Sequence, residues 1–393
     1  MKMRERRINI RKYYRFEISS MILFATPIIV LFWQDNGLSM MQIMILQSIY
    51  SILVTVLEIP TGYIADIYGR RKSLIIGSFI HALGIVYYAI AGDFVGFVIA
   101  EGLFAIGISL ISGANSAFLY DVLLEAGEEK RYKKILGNST FYLLISMAVA
   151  NIMGGFLGEI SFRLTFWLSF VFNISSVFIA FSMKEAKRHR KIIKKGYLRQ
   201  MLIIVKEALI DNHKLRYLLI GAGLIYGLNN IALWFYQPYF ELAGLDIIYF
   251  GIIFAAFQIF AGISGKYAHR IERLLGEKKS IVLLLILLGI SYILMGKFVF
   301  AFGFLFAFLQ QFVRGFSKII FNDYINKLID SENRATILSI QSMLSRLCYA
   351  IVIPFVGYIA DIYSISHALL ISGISVFVIG GIFIILLHRY KIF

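Results

Sequence analysis

Four ionisable side chains stand out inside long apolar runs: Glu58, Glu101, Arg314 and Arg346. An ionisable group in hydrocarbon is costly to keep, so function is its default reading. An acid there can take up and release a proton. An arginine there can hold a substrate or balance a buried charge. Each also has a structural reading, as half of an acid–base pair between helices or, for Glu58 beside Pro60, as a local support. A second group gathers where the chain turns. Gly62-x-x-x-Asp66-x-x-Gly69-Arg70-Arg71, followed by Lys72, separates apolar runs at 41–65 and 73–91. Three successive cations would each cost about 2.5–3.5 kcal/mol near a bilayer centre, so this stretch is a polar hinge at a membrane surface. The glycines let helix ends approach and turn sharply. Asp66 is placed to pair with the cations.

Neutral polar side chains mark a further region. They are Asn115 in the fourth apolar run, Tyr142 and Asn151 in the fifth, and Tyr226, Asn229, Asn230, Trp234 and Gln237 in the seventh. Gln258 follows in the eighth, Gln310 and Gln311 in the tenth and Gln341 in the eleventh. Runs 3, 6, 9 and 12 are nearly unbroken apolar faces, with His81 and Asn173 as exceptions. Hydrogen-bonding groups among aromatics suit a small amphipathic organic substrate. They equally suit hydrogen bonds between helices. His81 reads as a packed core residue.

The elements that must position these groups follow from hydropathy. Hydrophobic residues make up 59% of the 393 and charged residues 16%, with mean hydropathy +0.78. That composition is not that of a water-soluble globule. A helix needs about 20 apolar residues to span a bilayer. Runs of that kind fall at about 14–33, 41–65, 73–91, 95–120, 135–157 and 162–183, then at 216–240, 246–265, 280–297, 299–322, 334–360 and 366–387. The fold class is therefore an all-α membrane protein of twelve transmembrane helices. Pro27 is expected to kink the first. Residues 1–183 form one six-helix bundle and 216–393 the other. The basic stretch at 184–215 links them, its second part reading as an amphipathic helix on the membrane face.

The net charge of +16 could suggest nucleic acid, but the cations cluster in alternate loops. This positive-inside pattern places both termini and the hinge in the cytoplasm and favours anionic lipid at that surface. Arg163 and Lys297 are the cations assigned to the outer side. No cleavable signal peptide is read at the basic N-terminus. Cys348 is single, so neither a disulfide framework nor a cysteine metal cluster is expected within one chain.

The halves repeat weakly. Ser112-Gly113 then Asp121 corresponds to Arg314-Gly315 then Asp323, and a worn copy of the hinge runs from Gly265 to Arg273 with His269 in the acid's place. Gly357-Tyr-Ile-Ala-Asp361-Ile-Tyr repeats Gly62 to Tyr68 without the arginines, and topology puts it on the outside, so it is not expected to act as a second latch.

The hinge resembles the signature loop joining helices 2 and 3 in the major facilitator superfamily of secondary transporters. The resemblance implies two six-helix bundles, with inverted 3+3 repeats in each, that rock about a central cavity. It implies that Asp66 and Arg70 form a charge cluster with Asp121 that latches the outward-facing state, with Gly62, Gly69 and Arg71 completing the motif. It also implies a small-molecule substrate and, as the energy source, a proton gradient rather than any cofactor, with Glu58 or Glu101 carrying the proton. Drug-proton antiporters of this family usually have Gly-Pro-x-x-Gly-Gly in helix 5, where this chain has Ala150-Asn151-Ile-Met-Gly154-Gly155, and an arginine in helix 4, which this chain lacks. The expectation is proton-coupled efflux of a small organic solute by a monomer in a bacterial cytoplasmic membrane. A proton-coupled importer, an uncoupled facilitator and a non-transporting sensor are the alternatives. No phosphate-binding loop, metal-ligand spacing or nucleophile elbow suggests an enzyme.

Overall fold

The computed structural model describes residues 3–186, 203–330 and 333–390, and those residues contain helices and no strand. The helices are α1 (Met3–Met21), α2 (Ile29–Asp35), α3 (Met40–Tyr68), α4 (Arg70–Ile90), α5 (Phe94–Glu125), α6 (Tyr132–Ile160), α7 (Phe162–Ser182), α8 (His213–Leu242), α9 (Ile247–Lys297), α10 (Ala307–Asn326), α11 (Arg334–Ile362) and α12 (Ile365–Arg389). Half of the expected linker, 187–202, lies outside the described residues. Its described end closes in a π-helical turn, Glu207–Asp211.

Ten described helices are each long and apolar enough to cross a membrane. Two departures from the expected pattern account for the difference from twelve. First, the opening run is not one kinked helix. It breaks over 22–28 between α1 and α2, where Pro27 contributes no N–H. In hydrocarbon, the freed backbone groups must find partners inside the protein. The Phe24 N–H donates to Ser169 Oγ at 2.9 Å and Asn173 Nδ2 donates to the Ile22 carbonyl at 2.8 Å. Asn173 Oδ1 in turn meets His81 Nδ1 at 3.0 Å. The two polar exceptions on otherwise apolar runs thus support the break. His81 is buried as a core residue would be.

Second, α9 holds two spans. It bends at Gly276, whose φ of 72° lies in the left-handed region that glycine tolerates. The worn hinge copy at 265–273 therefore lies within a helix, and the turn comes later. The tenth span opens with a 3₁₀ segment, Ala301–Phe306, before α10.

The chain divides into two compact units. One comprises 1–38, 49–191 and 247–255; the other comprises 39–48, 192–246 and 256–393. In the first, α3 and α5 cross where a Cβ on Gly113 would come within 3.1 Å of the Gly62 nitrogen. In the second, α9 and α10 cross where a Cβ on Gly315 would strike the Ala261 carbonyl and come within 3.0 Å of the Gly265 nitrogen. The repeat read between the halves is thus carried by matching glycine crossings. Gly154 seats the Phe24 carbonyl and Pro27, and Gly155 seats backbone of 247–251. That is a packing use of the helix 5 glycines without the intervening proline.

The Gly357–Tyr363 copy serves a different end. Asp361 Oδ1 and Oδ2 accept from the Met40 and Met41 N–H groups, each at 2.8 Å. Its carboxylate caps the first turn of α3, where backbone donors lack helical partners.

Asn173→Leu is expected to destabilise the protein by about 1–3 kcal/mol, because the Ile22 carbonyl and His81 lose their partner in a dry setting. A thermal melt of the detergent-purified protein measures this. An unchanged midpoint would mean that other groups hold the break.

Candidate functional site

The hinge is built by a turn that cannot cap itself. α3 ends at Tyr68, and Gly69 (φ 110°, ψ 138°) leads into α4 with no side chain to accept from the first-turn amides. Glu185, just beyond α7, supplies the acceptor. Its two carboxylate oxygens take the Arg70 and Arg71 N–H groups at 2.9 and 2.8 Å. Sequence reasoning missed Glu185; the available signal was a carboxylate at the start of the cationic stretch.

Arg70 joins two acids. Its Nη2 lies 3.4 Å from Asp66 Oδ1 and its Nε 3.0 Å from Asp121 Oδ2. The side chain of Asp66 is 61% exposed and that of Asp121 20%. Exposed ion pairs contribute little; the Asp121 contact is the shorter and more sheltered of the two, and the Asp66 contact is the one aligned as a hydrogen bond. Arg71 makes another connection, donating to the Ala180 carbonyl at 3.3 Å and to that of Phe181. Gly62 sits at the α3–α5 crossing. Among the described residues, the second half shows no counterpart of this arrangement. Asp323 pairs with Lys327 at 2.7 Å near the end of its own helix, holding that ammonium above its usual pKa range through their hydrogen bond. Tyr324 Oη donates to Glu272 at 3.2 Å.

The predicted acids occupy different surroundings. Glu58 is half-buried in α3, near Thr61, whose Oγ1 donates to the Leu57 carbonyl at 2.7 Å. Glu101 is 5% exposed and lies beside the Tyr88 hydroxyl. The Tyr88 ring stacks on Phe166 at 5.4 Å. The structure adds Glu17, which the sequence reading passed over. It is half-buried in α1, Asn115 Nδ2 donates to its Oε1, and the Tyr13 hydroxyl lies beside it. Among the described residues no cation lies within 4 Å of Glu17. The signal was an acid within the first apolar run, masked by the cations that precede it.

The predicted polar residues separate into several places. Asn115 joins Glu17. Tyr142 is exposed and meets Tyr14 edge-on at 5.6 Å. Asn151 is buried, and its Nδ2 has no protein partner among the described residues. In the second unit, Trp234 Nε1 donates to Tyr349 Oη at 2.5 Å. Tyr236 Oη donates to Gln310 Oε1 at 2.6 Å and accepts from Gln311 Nε2 at 3.0 Å. Arg314 Nη2 donates to Gln258 Oε1 at 2.6 Å, and Tyr226 lies near the same guanidinium. Asn229, Gln237 and Gln341 are buried, Arg346 is half-buried and Asn230 is exposed. Tyr236 thus links Gln310 and Gln311.

Residues 18–348 match the profile of the Major Facilitator Superfamily. A relative from Buchnera aphidicola subsp. Schizaphis graminum (strain Sg), named as an uncharacterized transporter, is 27% identical over 226 residues. The match takes in 58% of this chain and 56% of the relative, so the chain spans little more than half of that protein's length. Among solved structures, the nucleoside transporter NupG superposes with a TM-score of 0.79 at 14% identity, covering 97% of this chain and 98% of NupG. A POT family transporter in complex with 5-aminolevulinic acid superposes with a TM-score of 0.76 at 14% identity, covering 99% of this chain and 97% of the other. At that identity the likeness concerns the fold alone.

Glu185→Ala is expected to lower stability by about 0.5–2 kcal/mol, the range for losing a helix cap. Glu185→Gln, which keeps one oxygen acceptor, should fall between it and the parent in a thermal melt. Three equal midpoints would rule out the capping contribution.

Proposed function

Since the chain belongs to the Major Facilitator Superfamily, we propose that it is a secondary transporter. In this reading it exports a small organic solute across a bacterial cytoplasmic membrane by alternating access, coupled to protons. The helical spans, the repeated glycine crossings and the ionisable groups within spans support transport. The distribution of cations supports cytoplasmic termini and a cytoplasmic hinge.

The observation that carries the coupling is the setting of Glu17. Its carboxylate meets the neutral Asn115 and Tyr13. Proton uptake there changes the charge at the membrane-facing end of α1 without breaking an ion pair. A conformation that favours the neutral form is then populated when the proton binds. Glu101 is the second candidate carrier and Glu58 the third. The Asp66–Arg70–Asp121 cluster acts as the conformational latch, with Asp121 the principal partner.

The test is proton movement in proteoliposomes with an imposed pH gradient, a trapped pH-sensitive dye and a panel of organic cations, anions, sugars and amino acids. One chemical class should collapse the gradient, and Glu17→Gln or Glu101→Gln should abolish that response. Substrate-dependent proton entry in the same direction as the solute would make the protein an importer. Flux indifferent to glutamine at 17, 58 and 101 would make it an uncoupled facilitator. Absence of flux for every class, with folded protein, would overturn transport.

The latch reading makes a separate prediction. Asp121→Asn should slow transport by about tenfold, Asp66→Asn by less, and both should leave substrate affinity within about twofold, as expected when a group biases two states without touching ligand. A large loss of affinity in either variant would argue for a direct substrate contact.

A further inference from the structure

We propose that the second unit carries a binding site for an organic anion, a carboxylate above all, centred on Arg314. This rests on the transport reading and names the class of its substrate.

Arg314 is the charge at the middle of a span. The Ala301–Asn326 span has its midpoint between residues 313 and 314. Transporter substrates bind near the bilayer midplane. A guanidinium at that depth is costly without a partner for its charge. Its partner in the protein is an uncharged one, the Gln258 carbonyl at 2.6 Å. Among the described residues, no carboxylate lies within 4 Å of Arg314. The tyrosines that influence it, Tyr226 and Tyr236, are neutral phenols. The guanidinium has five N–H donors in a planar fork, and those not bonded to Gln258 are absent from the buried, partnerless atoms. They therefore remain reachable.

The surroundings hold further unused capacity. Gln310 and Gln311 are 0% and 2% exposed. Tyr236 takes one atom from each, the Gln310 oxygen and the Gln311 amide nitrogen. The other atoms, Gln310 Nε2 and Gln311 Oε1, are buried without a protein partner. Buried polar atoms are ordinarily hydrogen-bonded, and an exception asks for an explanation. A carboxylate can take two parallel N–H bonds from an arginine. A solute that carries one next to a hydroxyl or amide would use the guanidinium, and a glutamine atom once that side chain turns toward it. A neutral amide of the same shape could not supply the negative charge. A cation would face repulsion from Arg314.

The test uses the full-length protein in detergent. Phenylglyoxal modification of Arg314 is followed by peptide mass spectrometry, with Arg163 and the exposed Arg131 as internal references. Acetate, benzoate, glutarate and indole-3-acetate are each compared with the corresponding amide. At least one carboxylate should slow modification of Arg314 fivefold or more, its amide should not, and the reference arginines should be unaffected. The proposal is overturned if none of the acids protects Arg314 or if an amide protects equally. No variant has to fold for this measurement. Flux of the protecting acid in proteoliposomes separates the two readings. Protection without flux keeps the anion site and removes transport. Flux of a neutral or cationic solute without protection keeps transport and removes the anion site. Arg314→Gln should lose the acid's flux more than tenfold, and Arg314→Lys should retain part of it, since a lysine keeps the charge but not the fork.

Discussion

A chain that spans a bilayer must satisfy its polar groups from within, and much of this structure follows from that constraint. Regular helix satisfies most backbone groups automatically. The exceptions are the places where helices break, start or turn. Some are capped by an adjacent residue, as Asp93 caps α5, and others recruit a side chain from elsewhere. The break at 22–28 draws on Ser169 and Asn173. The start of α4 draws on Glu185, because Gly69 gives the turn its backbone angle but offers no cap. The start of α3 draws on Asp361. In these cases a distant polar residue completes a local irregularity. Such residues tie the order of the helices to their internal geometry.

That dependence explains what the sequence could disclose. Long apolar runs report spans directly, because each span is a local property of composition. The hinge was legible because glycines, an acid and consecutive cations lie within a short stretch, and Asp121 was legible because the resemblance supplied its place at the end of a helix. Glu185 and Glu17 were not legible on these grounds. Glu185 acts on amides more than a hundred residues earlier in the chain. Glu17 follows a row of cations and has the local appearance of a surface acid. The broken first helix was legible only as Pro27. Whether a proline kinks or breaks a helix depends on what Ser169 and Asn173 offer. In α9 the copied motif lies within helix because the chain turns only at Gly276, where the backbone takes a left-handed angle.

The two halves keep what packing requires and differ in what charge requires. Gly113 on Gly62 and Gly315 on Gly265 preserve two close helix crossings. A side chain at either crossing glycine would force the backbones apart, so the requirement is steric. The ionic part is not preserved. Arg70 bridges two acids in the first half, whereas Asp323 binds Lys327 and Glu272 receives a tyrosine hydroxyl in the second. A duplicated frame can lose one copy of a charge cluster without losing its crossings, because the two depend on different atoms. Among the described residues, this asymmetry leaves the arginine bridging two acids at the first hinge.

The arginines show how partner chemistry separates structural charge from functional charge. Arg163 donates to the Ala89 carbonyl at 2.5 Å and to Asn36 Oδ1 at 3.1 Å, with Phe32 beneath it at 5.6 Å. Arg71 donates to carbonyls at the end of α7. Those carbonyl acceptors belong to the helical frame and keep their place as long as it does, so both arginines act as straps. Arg70, at the start of α4, is held by carboxylates on two other helices, and its pairing with Asp121 changes if α4 and α5 separate at that end. Arg314 is held by one amide at the middle of a span. A charge fastened to fixed carbonyls can contribute only stability. A charge whose partners move, or whose donors are incompletely used, can distinguish one state or one ligand from another. That criterion favours the proposed conformational role for Arg70 and the proposed recognition role for Arg314, although both are arginines kept near or within the membrane.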